Sequence, residues 1–423
     1  ITKYAVTVTE PESIRYHLEK AIWLAQNGRP GPSWVDIPLD VQAAEVEPNQ
    51  MSGFVPEAAS LVPQLNRVKL KAKVAETLKL LSRAERPVIL VGNGVRLSRA
   101  ERPFMNLARR LNIPVLTTWK ALDLLTEDDP LFIGRPGAVG QRYANLAQQN
   151  SDWLLMLGAR MDTGQTAYMH QYLARNAKKI MVDIDMNEIN KMDNLIDVRC
   201  PFDAGVFIRE MEHQVDENPI ETENWTQWWA QCHSWKEQFP MVLPEYWDYK
   251  DGVSVYVLVD VLSDLMVEGD LFIPGSSGGC SEVSMQTFKA KRGVRVYNSE
   301  GMGPMGFGIS AALGGCIASG GSKTICIEGD GDCSFGIKEG HGKSTDPGGD
   351  FWLSEGTPMT PRVHIAFNAA SKEIVDGFYE AGVAAGGTGN GEPGIWTQYH
   401  PNYYAAFVLD FDGYNIEAVC HSG

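Results

Sequence analysis

Two hydrophobic rhythms run along the chain. Between residues 9 and 28 the apolar residues Ile14, Leu18, Ala21, Ile22 and Ala25 fall on one helical face, since steps of three and four return side chains to the same side. Thr9 is placed to cap this helix, Pro11 suits its first turn, and Gly28 ends it. A short strand is predicted over 33–37, stopped by Pro38. Residues 39–68 keep no period and read as a linker. From Leu70 the pattern becomes helix 70–83, strand 87–91, helix 99–111, strand 114–117, then strands 153–157 and 179–184. Strands apolar on both faces and separated by helices predict a parallel sheet covered on either side.

Residues 214–250 carry Trp225, Trp228, Trp229 and Trp235 at helical spacing, a pattern of packing rather than of a ligand cage. A second α/β unit begins near Val253, with a helix through Met266 and a strand over 270–273. The turn GSSGGCSE, the loop GMGPMGFG with a small-residue helix, and the strand 324–327 follow, and that strand runs into Gly329-Asp330-Gly331. One more strand is predicted over 362–367, ending in Asn368. The predicted fold class is α/β, with consecutive doubly wound parallel-sheet domains.

Composition narrows the function. The chain has 423 residues, 44% hydrophobic and 21% charged, enough for more than one core. A net charge of -16 argues against nucleic acid or an anionic membrane as partner. No apolar run approaches the roughly 20 residues that span a bilayer. The opening ITKYAV lacks the basic and apolar regions of a signal peptide. Seven cysteines without a C-x-x-C spacing point to reduced thiols in the cytoplasm rather than to a disulfide framework or a zinc site.

Three glycine-rich loops are candidate phosphate cradles, because backbone N–H groups approach a ligand closely where no Cβ intervenes. VGNGVRLSRA offers Gly92 and Gly94 but has Leu97 where a dinucleotide fingerprint wants its third glycine, so a tight strand-to-helix turn is the simpler reading. In GSSGGCSE, Ser276, Ser277 and Gly278 follow a strand and precede a helix, a position that favours anions. Asp330, between Gly329 and Gly331, sits at the mouth of a sheet, where it suits Mg²⁺ bridging to a diphosphate or a helix N-cap. No H-E-x-x-H, no G-x-S-x-G and no nucleophile–base pair occurs, so an enzyme reading needs a cofactor to carry the chemistry.

Taken in order, GRPGPSWVDIPLDVQ, VILVGNGV, LTTWKALDLL, GARMDTGQTAY, KKIMVDID, GSSGGCSE, EGMGPMGFGISAALGGCIASGG and ICIEGDG resemble thiamine-diphosphate-dependent enzymes of the acetolactate synthase large-subunit group. The resemblance covers residues 1 to about 331. It implies the C-terminal end of a pyrimidine-binding domain over 1–46, a linker over 47–68, a central α/β domain over 69–213, a Trp-rich connector over 214–250 and a diphosphate-binding domain over 251–423, atypical from 332 on.

The same resemblance implies thiamine diphosphate and Mg²⁺ as cofactors, with Asp330 as metal ligand and Gly329 and Gly331 beside it. Met305 would wedge the cofactor into a bent shape, flanked by Gly303 and Gly306, with Ser276, Ser277 and Gly278 near the diphosphate. The implied reaction decarboxylates a 2-oxo acid such as pyruvate and joins the two-carbon unit to a second carbonyl. A simple decarboxylase or dione lyase is the alternative with the same cofactor, and an inert fragment or partner-binding subunit is the alternative of another class. The active form implied is a homodimer or homotetramer.

The pattern also departs from the family. The activating Glu belongs to the part of the first domain that would precede Ile1, which leaves the catalytic residue unknown here. Asp332 and Cys333 follow GDG where Ser or Gly and a helix are expected, and Asn368, the candidate second metal ligand, comes later than the family places it. Ser310 stands where Pro is usual. GRPGAVGQRYAN follows the flavin-binding pattern only loosely, which leaves FAD open.

Overall fold

The computed structural model describes residues 2–56, 65–221, 225–250, 252–275, 278–299, 301–304, 306–328, 364–399, 401–410 and 413–421. They divide into two compact units, one of residues 1–270 with 281–302, the other of 271–280 with 303–423.

In the first unit, β1 (Tyr4–Thr7) and β2 (Ser33–Asp36) pair in parallel across α1 (Ile14–Gln26). The cap expected at Thr9 is not made. A 3-10 turn over Pro11–Ser13 leads into α1, and Ser13 Oγ donates to the Glu10 carbonyl at 2.7 Å. The predicted linker contains α2 (Leu39–Gln42). Then α3 (Arg67–Leu81) opens with Asn66, whose side chain accepts from the Lys69 amide at 2.9 Å and so satisfies an otherwise unpaired first-turn donor.

The main sheet follows. Its elements are β3 (Pro87–Val91), α4 (Gly94–Leu97), α5 (Glu101–Leu111), β4 (Val115–Thr117), β5 (Phe132–Gly134), α6 (Arg142–Asn150), β6 (Trp153–Leu157), β7 (Lys178–Val182), α7 (Met186–Asn190), β8 (Val198–Cys200) and α8 (Ala204–Glu217). The six strands are ordered β5-β4-β3-β6-β7-β8, and every neighbouring pair is parallel. All residues of β3, β4 and β6 are buried, as strands covered on both faces must be. The order reverses between β3 and β6, which opens a crevice at their carboxyl ends.

Next comes α9 (Thr226–Gln238), with Trp225 just before it. The indole N–H groups of Trp225, Trp228 and Trp229 donate to the carbonyls of Ala84, Pro87 and Asn112. The aromatic stripe is therefore packing with a polar handle. The unit is completed by α10 (Pro244–Trp247), α11 (Val255–Leu265), α12 (Ser284–Thr287) and β10 (Arg295–Val296). Two buried charges tie these late pieces to the sheet. Arg135, 1% exposed, donates to the carbonyls of Met285 (2.8 Å), Gln286 (3.2 Å) and Phe288 (2.9 Å). The Asp123 carboxylate receives Arg96 at 2.8 Å, the Val296 amide at 2.9 Å and the Arg295 guanidinium.

The second unit has two parts. In one, β9 (Leu271–Pro274) and β11 (Thr324–Ile327) pair in parallel, with α13 (Phe307–Ala318) between them in sequence. In the other, β12 (His364–Asn368), α14 (Lys372–Ala384), β13 (Thr388–Ile395), β14 (Tyr404–Leu409) and β15 (Asn415–Cys420) build a four-stranded sheet ordered β12-β15-β14-β13. Only β12 and β15 are parallel, so this sheet is mixed. Val375 of α14 packs with Ala406, Ala418 and Cys420 on one face, while Phe407, Val419 and Trp396 gather on the other. There His364 Nε2 meets the buried Glu417 carboxylate at 2.8 Å.

Candidate functional site

The turn that follows β9 and the start of α13, two of the glycine-rich stretches noted in the sequence, come together beside the carboxyl end of β11. Immediately after β9, the Gly275 amide donates to the Ile327 carbonyl at 2.8 Å. Gly306 precedes α13 with φ of 82°, a left-handed turn that a side chain would strain. Gly303 and Gly278 also have positive φ, 50° and 63°. One carboxylate links the strand tip to the helix: the Gly308 amide, in the first turn of α13, donates to Glu328 Oε2 at 2.8 Å. A Cβ on Gly275 or on Gly308 would run into that same carboxylate. Both glycines are thus required by close approach.

Of the residues assigned to this site, Gly278, Gly303 and Gly306 lie on these turns. Ser276, Ser277, Met305, Gly329, Asp330 and Gly331 lie outside the described residues. Asn368 ends β12, where its backbone pairs with Val419 in the mixed sheet, and that sheet shares no strand with the β9–β11 pair among the described residues. Glu328 was missed from sequence, although two glycines at the ends of neighbouring elements were a usable signal of something large between them. A parallel strand pair whose carboxyl ends carry glycine turns lies where α/β sheets take their ligands, and here the Glu328 carboxylate occupies one first-turn amide of α13. Among the described residues, no group of three or more His, Cys, Asp or Glu side chains is arranged to hold a metal.

A cleft of about 400 Å³ opens in the first unit at the crevice between β3 and β6. Arg29, Gly94, Thr118, Lys120, Arg160 and Asp183 line it. The VGNGVRLSRA loop forms the tight turn its sequence suggested. The Gly92 amide donates to the Leu157 carbonyl at 2.9 Å and the Gly94 amide to the Gly158 carbonyl at 3.0 Å. Burial lifts the Asp183 carboxyl above its usual range, against the opposing pull of the Asp185 amide and Arg29. Glu188 behaves the other way: burial would raise it, but bonds from Lys191 and Arg29 hold it low. Arg29 meets Glu188 at 2.7 Å and Arg160 meets it at 3.3 Å. The rim is a charged network, suited to a polar ligand.

Residues 74–211 match the family described as thiamine pyrophosphate enzyme, central domain, and residues 277–341 match its C-terminal TPP binding domain. The second match contains the β9–β11 loops from Gly278 onward. A probable acetolactate synthase large subunit of Methanococcus aeolicus is 32% identical over 349 residues, covering 80% of this chain and 57% of that protein. The acetolactate synthase isozyme 1 large subunit of Escherichia coli K12 is 30% identical, with the same coverage of 80% and 57%. Acetolactate synthase 1, chloroplastic, of Oryza sativa is 29% identical across 99% of this chain and 62% of its own length. That alignment extends beyond residue 331, where the resemblance read from sequence stops. The chain spans 57% of the length of the first relatives it matches. Among the described residues, no helix is long and apolar enough to cross a membrane.

Proposed function

We propose, for a chain that belongs to the thiamine pyrophosphate enzyme family, that it holds thiamine diphosphate through Mg²⁺ and serves an acetolactate-synthase-like reaction. The substrate class is a 2-oxo acid such as pyruvate, and the active form is a homo-oligomer. The observation that carries this reading is the meeting of the Gly275 turn, the Gly306 helix start and the tip of β11, of which the last two lie within the region that matches a TPP binding domain. Asp330, two residues beyond Glu328, would hold the metal, and Met305 would support the cofactor. When bound, thiamine diphosphate supplies the nucleophilic carbon for decarboxylation and carbon–carbon bond formation. The chain's own residues contribute placement: glycines admit the diphosphate to the backbone. The cleft between β3 and β6 is the candidate seat of a nucleotide-bearing group such as FAD, since crevices of this kind take such ligands.

Calorimetric titration with thiamine diphosphate, with and without Mg²⁺, tests the reading on the intact chain. Saturable, Mg²⁺-dependent binding is expected, weakened at least tenfold, or about 1.4 kcal/mol, by Asp330→Ala. Binding that ignores both Mg²⁺ and this substitution would sink it.

A further inference from the structure

Three loops must stay in register for the proposed cofactor site to exist: the turn after β9, the start of α13 and the end of β11. They come from separate stretches of sequence, and the strands that carry two of them are only four residues each. Strand pairing fixes the β9 and β11 tips relative to one another through the bond from Gly275 to Ile327. It does nothing for α13. The helix start is fixed by a different device, the Glu328 carboxylate, which accepts from the Gly308 amide at 2.8 Å. The same carboxylate lies against Gly275, so closely that a Cβ there would overlap it. Gly308 carries the matching restriction from the other side. A single side chain therefore fills the gap between all three loops, and both surfaces that face it are bare backbone.

We propose that Glu328 is the positioning residue of the cofactor site. It accepts a first-turn amide of α13 and holds the helix start against the β11 tip, so that the turns at Gly275 and Gly306 keep their places beside the cofactor. This rests on the thiamine diphosphate reading and adds to it a residue that neither the sequence pattern nor the family match singles out. Its contribution is that of an acceptor oxygen at a fixed place. The negative charge near a helix N-terminus reinforces the bond, but a neutral acceptor of the same shape preserves the geometry. That separates Glu328 from a metal ligand, for which the charge itself matters.

The test uses the intact chain and three forms: wild type, Glu328→Gln and Glu328→Ala. Mg²⁺-dependent thiamine diphosphate affinity is measured by calorimetry, and exchange of the Gly308 amide is followed by NMR without cofactor. Glu328→Ala is expected to weaken cofactor binding about tenfold or more and to speed Gly308 exchange by a similar factor, the scale of one lost charge-assisted bond. Glu328→Gln is expected to bind within about threefold of wild type with Gly308 still protected, and serves as the readout should the alanine form fold poorly. Wild-type affinity retained in Glu328→Ala overturns the proposal. So does a glutamine form as weak as the alanine form, which would assign the effect to charge. A wild-type chain that binds no cofactor rejects the functional reading instead, a result distinct from either.

Discussion

Replacing Arg135 by methionine is the most demanding test of how the first unit is held together. The guanidinium is 1% exposed and donates to three backbone carbonyls between Met285 and Phe288, at 2.8 to 3.2 Å. It also lies 3.6 Å from Glu127, whose other oxygen meets Lys236 at 3.1 Å. Methionine has similar reach and no donors. The substitution leaves three carbonyls without that partner, each worth about 1–3 kcal/mol when buried, and weakens the balance of charge at Glu127. The guanidinium's own desolvation cost disappears, so the loss falls below the sum. Breaking one partner of a buried charged network gives about 3–5 kcal/mol. At about 2–4 °C per kcal/mol for a domain of this size, the melting transition should drop by about 6–20 °C. Urea unfolding followed by tryptophan fluorescence reads this directly, because Trp225 and Trp228 are buried in the same unit. Arg135→Lys should recover little, since an ammonium is a point donor and the site needs a planar fork. A methionine variant within about 1 kcal/mol of wild type, or a lysine variant equal to it, would refute this account of the clamp.

Other outcomes follow from the same structure. Burial raises the Asp183 carboxyl, so the folded chain holds that proton more tightly than the unfolded chain. The associated stability is complete below the unfolded carboxylate range, near about 4, and is lost as pH rises through the folded value. Asp183→Asn keeps the acceptor for the Asp185 amide at 2.9 Å, so it should melt higher than wild type at neutral pH, with the gain vanishing in acid. The Cys200 and Cys232 thiols are pushed up to about 12 by burial. Alkylation at pH near 8 should spare both in the native chain and reach them only in urea, as mapped by mass spectrometry. Asp123→Ala removes the carboxylate shared by Arg96, Arg295 and the Val296 amide; because Arg96 keeps Glu101 at 4.0 Å and Arg295 is 43% exposed, the cost in the same unfolding assay should be about 1–3 kcal/mol.

Much of the first unit was legible in the sequence because β3 and β6 are apolar throughout and α3 and α5 run for 15 and 11 residues. The strand at 87–91 and that at 153–157 appear as predicted, and the helix expected over 70–83 runs from Arg67 to Leu81. Strands β5 and β8, three residues each, are too short to display a period and were not foreseen. The N-terminal helix starts five residues after the expected cap, because Pro11 begins a 3-10 turn rather than the α-helix itself. The glycine turns were recognisable as close-approach positions, yet their partner was not. A glutamate two residues before an aspartate looks like ordinary strand-end polarity until the fold brings Gly275 and Gly308 to either side of it. Arg135 was likewise invisible, since its carbonyl partners lie 150 or more residues away.

The packing around Glu328 carries an evolutionary consequence. Three positions, 275, 308 and 328, share one small volume, so their tolerances are linked rather than separate. Alanine at 308 should be damaging in the native background and markedly milder once position 328 has lost its side chain, with Cys326 Sγ at 3.0 Å as the remaining tight contact, an epistasis measurable in a double-mutant cycle. Lineages of this sequence would then be expected to change 308 and 328 jointly, while Gly275 stays fixed whatever the acid does, because the Ile327 carbonyl oxygen would lie 2.6 Å from its Cβ.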